Sequence, residues 1–269
     1  MNRIEILFAS PLLTLARHDH PQDRAHRDPA EEIAADHAMA FVERGSFDVH
    51  TGRRRWRLSP DSLFVTRPGM VYRCRHVAGV DDVCLSIRLP DQTVADLETA
   101  TGRGWNDLPP VVRATNRLAY LRHRLVRSVA AGADGWATHE LAGELFAALD
   151  GSREGGAPIY RARQLAWYAE RVEAARRILH ERYAEPLSLE HVAREAGMSP
   201  FHFSRVFKEL VGLPPHRYLV KIRLARAAEQ LRAGAGVTQT SLATGFNNLG
   251  HFIRTFHRAF GVSPSRCRD

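Results

Sequence analysis

Two arginines, Arg205 and Arg254, stand 49 positions apart in the same company. Each has a histidine three residues before it (His202, His251) and a phenylalanine two residues to either side (Phe203 and Phe207, Phe252 and Phe256). Phenylalanines four apart lie one above the other on a helix, and a residue midway between them falls on the far side. Burying the phenylalanines therefore pins the helix and projects the arginine outward. A guanidinium held that way can grip a guanine edge through two parallel hydrogen bonds, worth about 1–3 kcal/mol of discrimination against a wrong base. Lys208 and Arg258, further along each helix, suit phosphate, which positions a protein without specifying sequence. A second group, Cys74, His76 and Cys84, could do different chemistry, because a thiolate beside an imidazole holds a soft metal or makes a reactive thiol. Positions 74 and 76 share a strand face, and a hairpin centred near Val80 would set Cys84 across from His76. Arg73, Arg75 and Arg88 are expected to lower the Cys84 thiol. The competing reading is a pocket lined by residues such as Phe64 and Tyr72, with the cysteines as filler.

The elements that must position these groups follow from the repeat. Gly197 precedes Gly245 by 48 positions; after one inserted residue the offset is 49, and it holds for Gly212 with Gly261, Pro215 with Pro264 and Arg217 with Arg266. In each copy a short helix ends at a glycine, a turn follows, and a second helix carries the phenylalanines. That is the outline of a helix-turn-helix, whose second helix enters a DNA major groove. Ser188 and Ser199-Pro200 read as helix starts, Gly197 and Gly212 as stops. Leu165–Tyr183 reads as one long helix ended by Pro186, and Leu219–Leu231, opened by Pro214 and Pro215, as the connector. In the second reading helix Phe252, Ile253, Phe256 and Phe260 are expected to face inward, with Asn247 and Asn248 at its start.

Charge is segregated in the same way. Residues 161–269 hold 18 basic and 9 acidic side chains, a net of +9; residues 1–160 hold 20 and 21, a net of −1. A surplus concentrated in one module is the footprint of a polyanion binder. Only Lys208 and Lys221 are lysines, so the donors are mostly planar guanidinium groups suited to phosphate and guanine. With 269 residues there is room for two cored domains. Three cysteines make no disulfide framework, which fits a reducing cytoplasm. We see no secretory signal, no membrane-spanning run, no phosphate loop, no zinc-finger spacing and no nucleophile elbow. The reading is therefore of a protein that is not an enzyme.

The front half reads as strands: Ala38–Val42, Phe47–His50, Trp56–Leu58, Leu63–Val65, Val71–Val77 and Val83–Leu89, separated by glycine and proline turns. Short strands at this spacing predict a small antiparallel barrel or jelly roll. Residues 1–36 are ambiguous, with His18–Pro29 polar enough for a loop. Helical spacing follows over Val111–Ala131 and His139–Leu149. His18 and His20 have metal-ligand spacing but fall in the polar loop, so no metal site and no cofactor is expected. Asp150–Pro158 is the clearest linker, dividing a sensing domain (1–150) from the repeat (161–269) across 151–160.

The runs Ser199–Lys208, Gly245–Phe256 and Phe260–Arg266 resemble the AraC/XylS family of bacterial transcription regulators. The resemblance implies an α+β chain: a cupin-like antiparallel β-barrel with dimerisation helices, then an all-α domain with two helix-turn-helix units. It implies that Phe201, Ser204, Arg205 and Lys208 on the first reading helix face DNA, with Asn248, Gly250, His251, Arg254 and Arg258 on the second; His202 and Asn247 join them as candidate contacts. Candidate effector residues are Phe64, Tyr72, Cys74, His76 and Cys84. The implied partners are double-stranded DNA, RNA polymerase, a small-molecule effector and a second copy of the chain, with no membrane. The chain departs from the family at Thr240 and Ser241, where a bulky aliphatic and an alanine are usual, at Gly250 and at Cys267. Two other classes stay open: a cupin-type metal enzyme tethered to DNA, and a regulator acting mainly through protein partners.

Overall fold

The computed structural model describes residues 3–21, 31–77, 79–149 and 160–267. The expected linker lies almost wholly outside the described residues. The chain divides into two compact units, 1–161 and 162–269.

Among the described residues the first unit is built on the strands β1 (Arg3–Ala9), β2 (Thr14–His20), β3 (Glu32–Ile33), β4 (His37–Arg44), β5 (Phe47–Thr51), β6 (Arg54–Leu58), β7 (Ser62–Thr66), β8 (Val71–His76), β9 (Asp82–Leu89) and β10 (Val111–Arg113). The six strands read from the sequence are all present. They pair as two antiparallel sheets, one in the order β1-β2-β9-β4-β7-β10 and one in the order β3-β8-β5-β6. Among the described residues the expected barrel or jelly roll is two packed sheets, with no closed barrel. Their inner faces share a core of Val42, Phe47, Val49, Leu58, Phe64 and Cys84.

Three expectations fail here, each for a reason of pairing. His18 and His20 belong to β2, not to a loop; β2 lies between β1 and β9, with His18 opposite Cys84. Its polar residues misled because the strand is held by ladder hydrogen bonds rather than by an apolar run. The hairpin expected around Val80 does not form: β8 pairs with β5 and β3, and β9 with β2 and β4. The chain crosses from one sheet to the other at that turn, so His76 and Cys84 come from opposing sheets. Val111–Arg113 extends the larger sheet, with Val111 opposite Phe64, and the helix begins only at Asn116.

The described residues of this unit also form the α-helices α1 (Asp91–Thr101), α2 (Asn116–Ala130) and α3 (Gly135–Ala148). Thr115 and Asp134 cap α2 and α3 with side-chain oxygens, which satisfies amide groups a helix start leaves orphaned. Trp105 and Phe146 stack with centroids 5.3 Å apart, and Trp105 Nε1 donates to the Thr66 carbonyl at 2.9 Å. Helix α3 is thus tied to the sheet through one indole.

The second unit is all helical: α4 (Ala162–Glu181), α5 (Leu189–Glu195), α6 (Pro200–Val211), α7 (Pro215–Arg232), α8 (Val237–Ala243) and α9 (Leu249–Phe260). Ser188 Oγ accepts from the His191 amide at 3.1 Å, as its cap position predicts. Ser199 makes no side-chain cap; Pro200 alone starts α6. At the two turns Gly197 and Gly245 adopt φ of +69° and +81°. At Gly245 a β-carbon would stand 2.6 Å from the Ala184 carbonyl oxygen, so glycine is required there twice over. Arg223 of α7 donates to the carbonyls of Tyr183 and Glu185 at 2.7 and 2.8 Å, closing the loop after α4. The first reading helix buries Phe203, Val206, Phe207 and Leu210. The second buries only Phe252 and Phe256; Ile253 and Phe260 are 39% and 41% exposed, against expectation. Its apolar stripe is narrower because fewer neighbours reach it. Among the described residues no helix is long and apolar enough to cross a membrane.

Candidate DNA-reading helices and effector cavity

On α6 the pinned phenylalanines turn a defined set of residues outward. Phe201 is 84% exposed, so it is not a core aromatic. Arg205 and Lys208 are exposed, and Ser204 is half-buried. His202 is turned inward instead, with Nε2 3.1 Å from the Tyr168 hydroxyl of α4. An Arg205 terminal nitrogen lies 3.3 Å from His202 Nδ1. A guanidinium can only donate, so Nδ1 accepts, and the imidazole proton sits on Nε2 facing Tyr168. His202 is thus engaged within the unit by both Tyr168 and Arg205. This signal was present in the three-residue spacing of His202 and Arg205, but nothing in the sequence placed Tyr168 beside them.

On α9, His251, Arg254 and Arg258 are exposed, as is Asn247 before the helix. Asn248 is committed: its Oδ1 accepts from the His251 amide at 2.8 Å and caps the helix. Gly250 leaves its surface bare; a β-carbon there would come 3.4 Å from an Arg254 terminal nitrogen. Behind α9, Thr240 and Ser241 are fully buried on α8, and neither hydroxyl has a hydrogen bond. Their counterparts 48 positions earlier are Val192 and Ala193, both buried. Two apolar positions of the first helix-turn-helix correspond to two unsatisfied hydroxyls in the second.

In the front unit all five candidate effector residues, Phe64, Tyr72, Cys74, His76 and Cys84, line one cavity of about 460 Å³ between the sheets. Sequence reasoning missed His18, Ser86 and Arg88 in the same wall. His18 Nε2 lies 2.8 Å from Ser86 Oγ. Burial, then His20 and Arg88, lower the His18 pKa, which favours the neutral ring. The Tyr72 hydroxyl donates to Glu32 at 3.1 Å, and burial together with that carboxylate pushes the phenol up. Cys84 behaves opposite to expectation. Burial first, then Asp82, raises its thiol well above the ordinary range. No arginine offsets the loss of water, so Cys84 is a protonated, packed thiol.

Two units are thus defined: a sandwich of sheets enclosing a small-molecule-sized cavity, and a basic helical unit with two outward-facing reading helices. The comparisons with known proteins agree. Residues 3–150 match the AraC-binding-like domain, and residues 192–269 match a helix-turn-helix domain. The chain belongs to the AraC family of transcriptional regulators. It is 36% identical over 92 residues to the HTH-type transcriptional activator RhaS of Escherichia fergusonii, covering 34% of this chain and 33% of that one. The RhaS of Salmonella schwarzengrund gives the same identity and coverage. The match thus spans about a third of the length of these relatives. Among solved structures, an AraC-type regulator from Chromobacterium violaceum is 30% identical over 36% of this chain and 88% of that one, with a TM-score of 0.35. The unsaturated-fatty-acid-bound ToxT of Vibrio cholerae is 10% identical over 94% of each chain, with a TM-score of 0.40.

Proposed function

We propose that the chain is a sequence-specific DNA-binding regulator of transcription that responds to a small molecule held between its front sheets. The observation that carries the reading is the duplicated reading helix. In both α6 and α9 buried phenylalanines pin the element while Arg205 or Arg254 stays exposed at the matched position. Arg205 and Arg254 read base edges, and Phe201, His251 and Asn247 add contacts. Lys208 and Arg258 hold phosphate. His202 and Asn248 serve by positioning Arg205 and α9. The first helix carries more of the specificity, because Gly250 removes a side chain from the second. The effector has an apolar body, for Phe64 and the other apolar walls. It also has polar or anionic groups for Tyr72, His18 and Arg88, whose Nε is buried without a hydrogen bond. Two chains pair through the front unit, and contact with RNA polymerase converts binding into regulation.

Footprinting on DNA beside the protein's own gene tests the core of this reading. Each chain protects two adjacent major-groove segments on one face of the duplex, about 34 Å apart. Protection of a single segment per chain overturns it.

A further inference from the structure

The front unit carries a cluster that the regulatory reading does not use. His20 on β2, His76 at the end of β8 and Asp82 at the start of β9 come from three strands in two sheets. One possible ligand atom from each lies within 4.8 Å of the others. Asp82 Oδ1 is 3.2 Å from His20 Nδ1, and Asp82 Oδ2 is 3.6 Å from His76 Nε2. The two imidazole centroids are 4.9 Å apart. The Asp82 side chain is 0% exposed, the His76 side chain 4% and the His20 side chain 19%.

A carboxylate withdrawn from water this completely must be compensated. Neither Asp82 oxygen, nor His20 Nδ1, makes a hydrogen bond of acceptable geometry. The three groups thus converge on a common point within ion-pair distance, without a completed hydrogen bond at either Asp82 oxygen. The backbone holds the carboxylate there. Gly45, at φ +76°, lies so close that a β-carbon on it would be 2.8 Å from the Asp82 β-carbon and 2.3 Å from the Asp81 carbonyl oxygen. Only glycine lets the β4–β5 turn pass.

We propose that His20, His76 and Asp82 form a binding site for a divalent transition metal of the zinc class in the wall of the front cavity. Two imidazoles and a carboxylate are a borderline nitrogen and oxygen set, which suits zinc, cobalt or nickel; calcium and magnesium take oxygen shells. Ligand bonds of about 2.0–2.2 Å require the three groups to draw together by roughly an ångström. His20 and His76 both line the cavity, so the position that three protein ligands leave open faces it. A water molecule or a donor atom of a bound molecule completes the shell. Cys84 is not one of the three residues whose ligand atoms come together. The site stands independently of how the helical unit reads DNA.

The full chain, purified without a polyhistidine tag, is titrated with Zn²⁺ by calorimetry and loaded with Co²⁺ for visible absorption. Expected is one ion per chain, a cobalt ligand-field spectrum, and a raised melting temperature. His20→Ala weakens binding at least tenfold and removes all three signals while the circular dichroism is unchanged. His191→Ala, at an exposed histidine beside Glu195 in the helical unit, leaves them intact. Absence of stoichiometric binding overturns the proposal. So does binding that survives His20→Ala, or binding lost in His191→Ala. His76→Gln is the confirming variant, and Asp82 is left unchanged so that its burial does not confuse folding with binding.

Discussion

At the scale of residues, neighbouring side chains on one helix are expected to do different work. Arg205 and Lys208 are both exposed on α6, but a fork of parallel donors reads a base, whereas an ammonium follows phosphate. Arg205→Ala is expected to relax base preference at one or two positions, at a cost of about 1–3 kcal/mol there. Lys208→Ala weakens all sequences alike and lowers the salt slope by roughly one. Selection of bound sequences with each variant decides it; unchanged preference in Arg205→Ala removes the base-reading role. His202→Ala should show both a stability loss of about 1 kcal/mol, from the lost Tyr168 contact, and relaxed preference at the Arg205 position. Thermal melting together with the same selection distinguishes this from direct reading, which leaves stability unaltered.

At the scale of elements, the two helix-turn-helix units are unequal behind their similar faces. Thr240 and Ser241 bury hydroxyls without partners where the first unit has Val192 and Ala193. Ser241→Ala should stabilise the helical unit by about 1 kcal/mol, since a desolvated, unpaired hydroxyl is removed. Chemical denaturation measures it, and destabilisation would place a hidden hydrogen bond at Ser241. In the front unit, β5 and β6 are joined by Asp48, which accepts from Arg55 and Arg57. Burial alone would raise this carboxyl, but the arginines outweigh it and hold the pKa below its ordinary value. A lowered carboxyl contributes stability that is present above its unfolded pKa and lost as pH falls through the folded one. Asp48→Asn should therefore destabilise at neutral pH and flatten the acid side of the stability curve. An unchanged acid limb in pH-dependent melting would refute the role.

At the scale of the whole molecule, two compact units with segregated charge suggest separable tasks. Residues 161–269 are expected to bind DNA alone as a monomer, because both reading helices lie in one covalent unit. Residues 1–150 are expected to dimerise without DNA; Trp136 on α3 is 67% exposed and offers apolar surface to a second copy. Sedimentation of the two fragments checks both expectations. A monomeric front fragment at micromolar concentration removes the dimer.

What the sequence by itself determined was local or repeated. The strands of 37–89, the glycine stops and the inward phenylalanines of α6 follow from periodicity and backbone preference, which neighbouring residues impose on one another. The matched arginines were legible because the chain states the pattern twice. Tertiary structure alone decided which distant residues meet. The crossover between sheets after β8 brought His76 and Cys84 to the lining of one cavity without a hairpin, and pairing placed His18 and His20, read as part of a polar loop, on β2 between β1 and β9. That pairing created the His20, His76 and Asp82 cluster from positions up to 62 residues apart. It also buried Cys84 deeply enough to reverse its expected acidity. Burial and long-range pairing depend on how faces close over one another, and residue order does not encode that one neighbour at a time.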